Sequence, residues 1–217
     1  METRMRTRSS VTTHLAINEP DFVESLVLGD PNTFAQLVRL YQDRVFNLCF
    51  RLLGSEEEAR DVSQEVFLTI FRKVEGFNGA SQLSTWIYRV ATNHALNRIK
   101  AMKRRRFNQT VSLSKETVER RATISRFPRP DQMLDAKELE RYLQAELDAL
   151  DDDQRTVVVL RDLEGLSYQE IEDITGLNPG TVKSRLHRGR TRLKEALERW
   201  LDDRVPKEVP SRQAAAK

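Results

Sequence analysis

Thr181, Lys183, Ser184, Arg185, His187 and Arg188 crowd hydroxyl, ammonium, imidazole and guanidinium groups into eight consecutive positions. Such donors and cations suit the base edges and phosphates of duplex DNA. At about 100° per residue, Val182, Leu186, Leu193, Leu197 and Trp200 gather on one side of a helix. Thr181, Ser184, His187, Arg188 and Thr191 face the other way, flanked by Lys183, Arg185 and Arg192. No acid interrupts the run from Lys183 to Lys194. Just upstream, Ser167 and Glu170 have capping-box spacing, Ile171 and Ile174 give a short helix its apolar face, and Gly176 ends it. Asn178 and Pro179 then supply a cap and a first-turn proline. The pattern predicts a helix-turn-helix whose second helix suits the major groove.

A second cluster is built for unpaired bases. Phe77, Trp86 and Tyr88 lie beside Arg89 and the amides Asn93 and Asn97, and six bases follow between Arg98 and Arg106. Rings stack on a base, amides read its edge, and cations hold the backbone. The loop that opens this segment contains Asn78, Gly79, Ala80 and Ser81. A third group is acidic: Glu56, Glu57, Glu58, Asp61 and Glu65 crowd the start of one helix. The helix dipole accounts for the first three. Gln64, Glu65 and Leu68 lie beyond the first turn and suggest docking to another protein.

These clusters need helical scaffolds. Asp30–Pro31 opens a helix carrying Phe34, Leu37, Val38, Tyr41, Val45, Leu48 and Leu52 at three- and four-residue steps, closed by Gly54. Ser55 and Glu58 predict a second capping box, before a face of Ala59, Val62, Val66, Ile70 and Val74. Leu139, Leu143, Leu147 and Leu150 form a further stripe, and a helix over 153–163 leads to the helix-turn-helix. The expected fold is all-α, with two small helical domains at 21–107 and 134–201. Residues 108–133 form a flexible linker that reaches roughly 80–90 Å when extended. Flexible tails are expected at 1–20 and 202–217.

Bulk properties exclude several classes. The chain has 217 residues, 39% hydrophobic and 32% charged, with 8 Gly, 7 Pro and a net charge of +3. The pI of about 9.1 and the segregated charge favour nucleic acid as a partner. Cys49 is the only cysteine, so no internal disulfide or paired-cysteine metal site exists, and its apolar surroundings predict a buried thiol. Residues 1–13 lack the apolar core of a secretory signal. No run approaches the roughly 18 apolar residues of a membrane span. A cytoplasmic protein without membrane insertion is expected. The histidines, His14, His94 and His187, do not pair at metal-ligand spacing. Asp151–Asp153 reads as a helix-opening cluster, and no phosphate loop or nucleophile elbow occurs. No catalytic residues, metal or cofactor are expected.

Taken in order, these motifs resemble the two-domain extracytoplasmic-function sigma factors of bacteria. The residues are D-x-x-Q-E-x-F from Asp61 to Phe67, F-x-G at Phe77–Gly79, S-T-W-I-Y-R-V-A-T-N from Ser84 to Asn93, R-D-L-E-G-L-S-Y-Q-E-I from Arg161 to Ile171 and G-T-V-K-S-R-L-H-R from Gly180 to Arg188. The resemblance implies that Asp61, Gln64, Glu65 and Phe67 dock on the β′ clamp coiled coil of core RNA polymerase. It implies that residues 77–84, Trp86, Asn93 and Asn97 capture melted −10 DNA, and that Lys183, Ser184, Arg185, His187 and Arg188 read the −35 duplex from a domain seated on the β flap. It also implies an anti-sigma factor as a partner. Three features depart from the family pattern: the Asn178-Pro179 pair in the turn, Ala80 where an acid is frequent, and Gly189 where Ala is usual. The glycine should weaken its helix by about 1 kcal/mol. The competing reading is a stand-alone helix-turn-helix regulator with an N-terminal sensor or dimerisation domain.

Overall fold

Among the described residues, 17–112 and 132–202 of a computed structural model, every regular element is helical. Residues 113–131, the middle of the expected linker, fall outside them, as do 1–16 and the tail from 203. The N-terminal bundle holds α1 (Pro20–Val27), α2 (Pro31–Leu53), α3 (Glu56–Lys73) and α4 (Leu83–Ser112). The C-terminal bundle holds α5 (Gln132–Asp148), α6 (Asp152–Val158), α7 (Tyr168–Thr175) and α8 (Pro179–Asp202).

Caps set the helix starts. Asp30 accepts from the Thr33 N–H at 2.7 Å and from its hydroxyl at 2.6 Å. Those bonds hold its carboxyl below the ordinary carboxylate value. Gly54, at φ +69°, ends α2 in the left-handed conformation. Ser55 accepts from the Glu58 N–H at 3.4 Å. The expected reciprocal bond is replaced, because the Glu58 carboxylate turns to Arg98 on α4. That pairing ties α3 to α4 instead of strengthening the cap.

Apolar stripes then close the N-terminal core. Leu37, Tyr41, Val45, Leu48 and Leu52 of α2 meet Val62, Val66 and Ile70 of α3 and Ile87, Ala91 and Ala95 of α4, all buried. Cys49 is fully enclosed there, and burial pushes its thiol up to about 12. It stays protonated and unreactive.

Four expectations about boundaries change. Ile17, placed in a flexible lead-in, is fully buried in the core. Helix α4 passes the expected end at Phe107 and continues to Ser112. Asp202, placed in the tail, is the last residue of α8. The helix expected over 153–163 is α-helical only to Val158 and becomes a π turn over Val159–Leu163, with the Glu164 N–H bonded to the Val159 carbonyl at 3.0 Å.

Gly189 also acquires a different meaning. A Cβ there would lie 2.6 Å from Val158 Cγ2. The glycine lets α8 press against α6, a closeness that helix propensity does not register. Gly189→Ala should therefore destabilise the C-terminal bundle, by about 1–3 kcal/mol of overpacking set against about 1 kcal/mol of gained propensity. Val158→Ala in the same chain should recover part of the loss. Thermal unfolding of both variants checks this, and a raised Tm for Gly189→Ala alone would contradict it.

The two bundles touch through polar groups as well as apolar ones. The Tyr88 hydroxyl on α4 donates to Glu164 Oε2 at 2.7 Å, and burial raises the pKa of both groups. Arg155 of α6 donates to the Leu52 carbonyl at 2.6 Å, at the end of α2. Arg51 donates to Gln144 at 2.9 Å and Glu140 at 2.8 Å, and Lys103 pairs with Asp152 at 2.5 Å.

Candidate nucleic-acid interface

Around its buried core stripe, helix α4 has two sides paired with neighbours and one open side. Thr85, Tyr88 and Lys103 face the C-terminal bundle, through Glu170, Glu164 and Asp152. His94 and Arg98 face α3, through Thr69, Glu65 and Glu58. The third side carries Trp86, Val90, Asn93, Asn97, Lys100 and Arg104 within about 40° of one line. Asn93, Asn97, Lys100 and Arg104 are exposed there, with Trp86 and Val90 half-buried. Ring, amides and cations thus form one continuous outward strip. Lys100 and Arg104 belong to it as well as to the basic run between Arg98 and Arg106.

The loop over residues 77–82 lies at the N-terminal end of that strip. Phe77 packs on Trp86 with ring centroids 5.6 Å apart. Asn78 Oδ1 accepts from the Ala80 N–H at 3.1 Å, across Gly79 at φ +71°. The turn is thus held locally and leaves Asn78, Gly79 and Ala80 exposed, with Ser81 half-buried. Tyr88 stands apart from the others. It is only 1% exposed, its ring edge-on to Tyr41, so a residue expected at the DNA face lies at the junction of the bundles. Its position, about 200° from Trp86 around the helix, explains why. Arg89 is half-buried beside the strip.

On α3, Asp61, Gln64, Glu65 and Leu68 make a second exposed stripe, with Leu68 54% exposed. Glu65 also pairs with Arg98 at 2.7 Å. Phe67 is half-buried against the core rather than on this stripe, so Leu68 holds the outward apolar position. Phe71, one turn on, is 59% exposed and packs edge-on to Phe34 at 5.1 Å.

The C-terminal site follows the predicted helix-turn-helix. Ser167 and Glu170 form the full capping box, and Gly176 closes α7 at φ +69°. Asn178 Oδ1 caps α8 by accepting from the Thr181 N–H at 2.8 Å. Val182, Leu186 and Ala196 are buried, and Trp200 rests near Tyr142. Lys183, Ser184, His187, Arg188 and Thr191 are exposed on the opposite face, and Thr181 is half-buried. Arg185 pairs with Asp153 at 2.8 Å, and Arg190 with Asp162 at 2.5 Å. The acids of the 151–153 cluster therefore neighbour the basic helix, with Arg192 3.9 Å from Asp151.

Comparison with known proteins gives this architecture its relatives. The family model described as Sigma-70 region 2 matches residues 37–106, and that described as Sigma-70, region 4 matches residues 140–193. The chain is 34% identical over 176 residues to the ECF RNA polymerase sigma factor SigW of Bacillus subtilis, covering 81% of this chain and 94% of that protein. It is 35% identical over 169 residues to the ECF RNA polymerase sigma-E factor of Escherichia coli, covering 77% and 88%. The fold matches the sigma factor RpoE crystallised with the anti-sigma factor NepR from Bartonella quintana, with a TM-score of 0.56, 24% identity and coverage of 76% and 96%. It also matches CnrH in complex with the cytosolic domain of CnrY, with a TM-score of 0.59, 21% identity and coverage of 82% and 96%. With both matched regions on one chain and curated relatives covered almost end to end, the protein belongs to the extracytoplasmic-function family of RNA polymerase sigma factors.

Proposed function

We infer that this chain binds core RNA polymerase and directs it to a set of promoters, with the N-terminal bundle capturing melted −10 DNA and α8 reading the −35 duplex. One observation carries the reading. The Trp86–Asn93–Asn97–Lys100–Arg104 strip and the 77–82 loop bring a ring, amides and cations together on one outward face, on the same chain as a helix-turn-helix. A stand-alone duplex-binding regulator has little use for the first surface. The α3 stripe of Asp61, Gln64, Glu65 and Leu68 supplies the polymerase dock, for which the β′ clamp coiled coil is the assigned partner. The β flap is assigned to the C-terminal bundle. The sigma factor RpoE, whose fold this chain shares, was crystallised with the anti-sigma factor NepR, which supports such a factor as a third partner.

The mechanism is binding throughout. Unpaired bases stack on Trp86, at typically about 1–3 kcal/mol per contact, and meet the amides of Asn93 and Asn97. Lys100 and Arg104 hold the phosphates, which makes this contact sensitive to salt. Those contacts favour the open duplex over the closed one, and bond-making belongs to the polymerase. On α8, Lys183, Ser184, His187 and Arg188 are free to enter the major groove. Arg185 must exchange Asp153 for DNA to do so.

Arg188→Ala should lower −35-dependent promoter occupancy by about 1–3 kcal/mol if it makes a bidentate base contact. Arg185→Ala should cost less, because its ion pair with Asp153 is lost on binding. Footprinting of reconstituted holoenzyme on promoters with an intact or scrambled −35 element checks both. Unchanged occupancy in both variants would contradict the placement of α8.

A further inference from the structure

Helix α4 begins without a good cap of its own. Gln82 occupies the cap position, its carbonyl accepting from the Trp86 N–H at 3.0 Å. Glutamine is a poor N-cap residue compared with Ser, Thr, Asp or Asn. The second residue of the helix, Ser84, is only 1% exposed, so its N–H needs a partner within the protein. That partner comes from 66 residues upstream. Asn18 Oδ1 accepts from the Ser84 N–H at 3.1 Å, and Asn18 Nδ2 donates to Ser84 Oγ at 3.1 Å and to Gln82 Oε1 at 3.3 Å. Asn18 is held in turn by its neighbours. Ile17 is fully buried in the core, and α1 starts at Pro20.

We propose that Asn18 is a positioning residue for −10 recognition: its carboxamide caps α4 from outside the helix and clamps the loop that captures the base. The three bonds converge on residues 82–84. That short junction joins the exposed 77–82 loop to Trp86, which is two residues further on and packed on Phe77. The local Asn78–Ala80 bond shapes the turn itself, and Phe77 rests on Trp86. Among the described residues, Asn18 supplies the side-chain bonds from the N-terminal segment to this junction, so with the Phe77–Trp86 contact it sets where the loop stands relative to the strip. Two effects follow, a lower yield of open promoter and weaker discrimination at the captured base. The proposal rests on the assignment of this face to −10 DNA.

The test uses full-length protein in reconstituted holoenzyme. Open complexes are read by permanganate reactivity on promoters carrying each of the four bases at the captured position. Asn18→Ala should reduce opening on the preferred base by about 3- to 10-fold, on the scale of a lost helix cap. It should also narrow the ratio between preferred and disfavoured bases. That ratio does not depend on how much of the variant is folded. Asn18→Asp keeps the acceptor for Ser84 and places a negative charge at the helix N-terminus, so it should restore both opening and discrimination. Core-polymerase association and −35 footprints should stay at the unmodified protein's level in both variants. Asn93→Ala serves as the reference arm. If it lowers opening while Asn18→Ala leaves the ratio unchanged, the role of Asn18 is refuted and the −10 assignment stands. If neither variant alters opening or discrimination, the −10 assignment of this face fails with it.

Discussion

Reversing the charge at Asp61 and removing the apolar contact at Leu68, in an Asp61→Lys/Leu68→Glu variant, should abolish association with core polymerase. Both side chains stand on the exposed stripe of α3, and Leu68 is more than half exposed. Neither helps to close the helical core, so the fold should survive. Like charges brought together at a docked interface cost several kcal/mol. A loss of about 2–5 kcal/mol corresponds to a roughly 30- to several-thousand-fold weaker complex. Glu65 is a poorer probe, because its carboxylate also pairs with Arg98 and a lysine there would face a guanidinium. Co-purification with core polymerase, with circular dichroism as the folding control, checks the outcome. Retained co-purification of a folded double variant would show that the dock lies elsewhere.

Trp86→Ala and Asn93→Ala should leave that association intact and impair strand opening. Asn93 is exposed and its loss removes only a polar contact, whereas Trp86 is half-buried and also supports Phe77. Losing one stacking platform costs typically about 1–3 kcal/mol, or roughly 5- to 150-fold in open complexes. Trp86→Ala should sit at the upper end, because Phe77 loses its neighbour as well. Permanganate footprinting of holoenzyme made with each variant reads this directly. Normal opening in both would remove the strip from the account.

Much of this arrangement was legible in the residues. Helix starts at Asp30, Ser167 and Asn178 could be read from cap chemistry, which acts over three residues and needs no tertiary context. The apolar stripe of α8 and its exposed donors followed from period alone. Local signals mislead where a distant partner takes over the group that carries them. Glu58 had the spacing of a capping box, yet Arg98, forty positions along the chain, claims its carboxylate. Tyr88 looked like one more aromatic of a DNA face, but its hydroxyl found Glu164 in the other bundle. Gly189 looked like a weak point in a helix, and Val158 makes it a requirement of close packing. Asn18 gave no local signal, since nothing near it in sequence predicts a bond to Ser84. Period and caps are local properties. Inter-helix ion pairs and borrowed caps depend on which faces meet, and one sequence does not display that.

The central claim is that this protein works by giving core polymerase a promoter preference. The most direct test is run-off transcription on a template library, with core polymerase, with and without the purified chain. The account predicts promoter-dependent transcripts only when both are present, lost with the Asp61→Lys/Leu68→Glu variant. Tight, sequence-specific duplex binding by the chain alone, with no transcript stimulated in the presence of core polymerase, would contradict it.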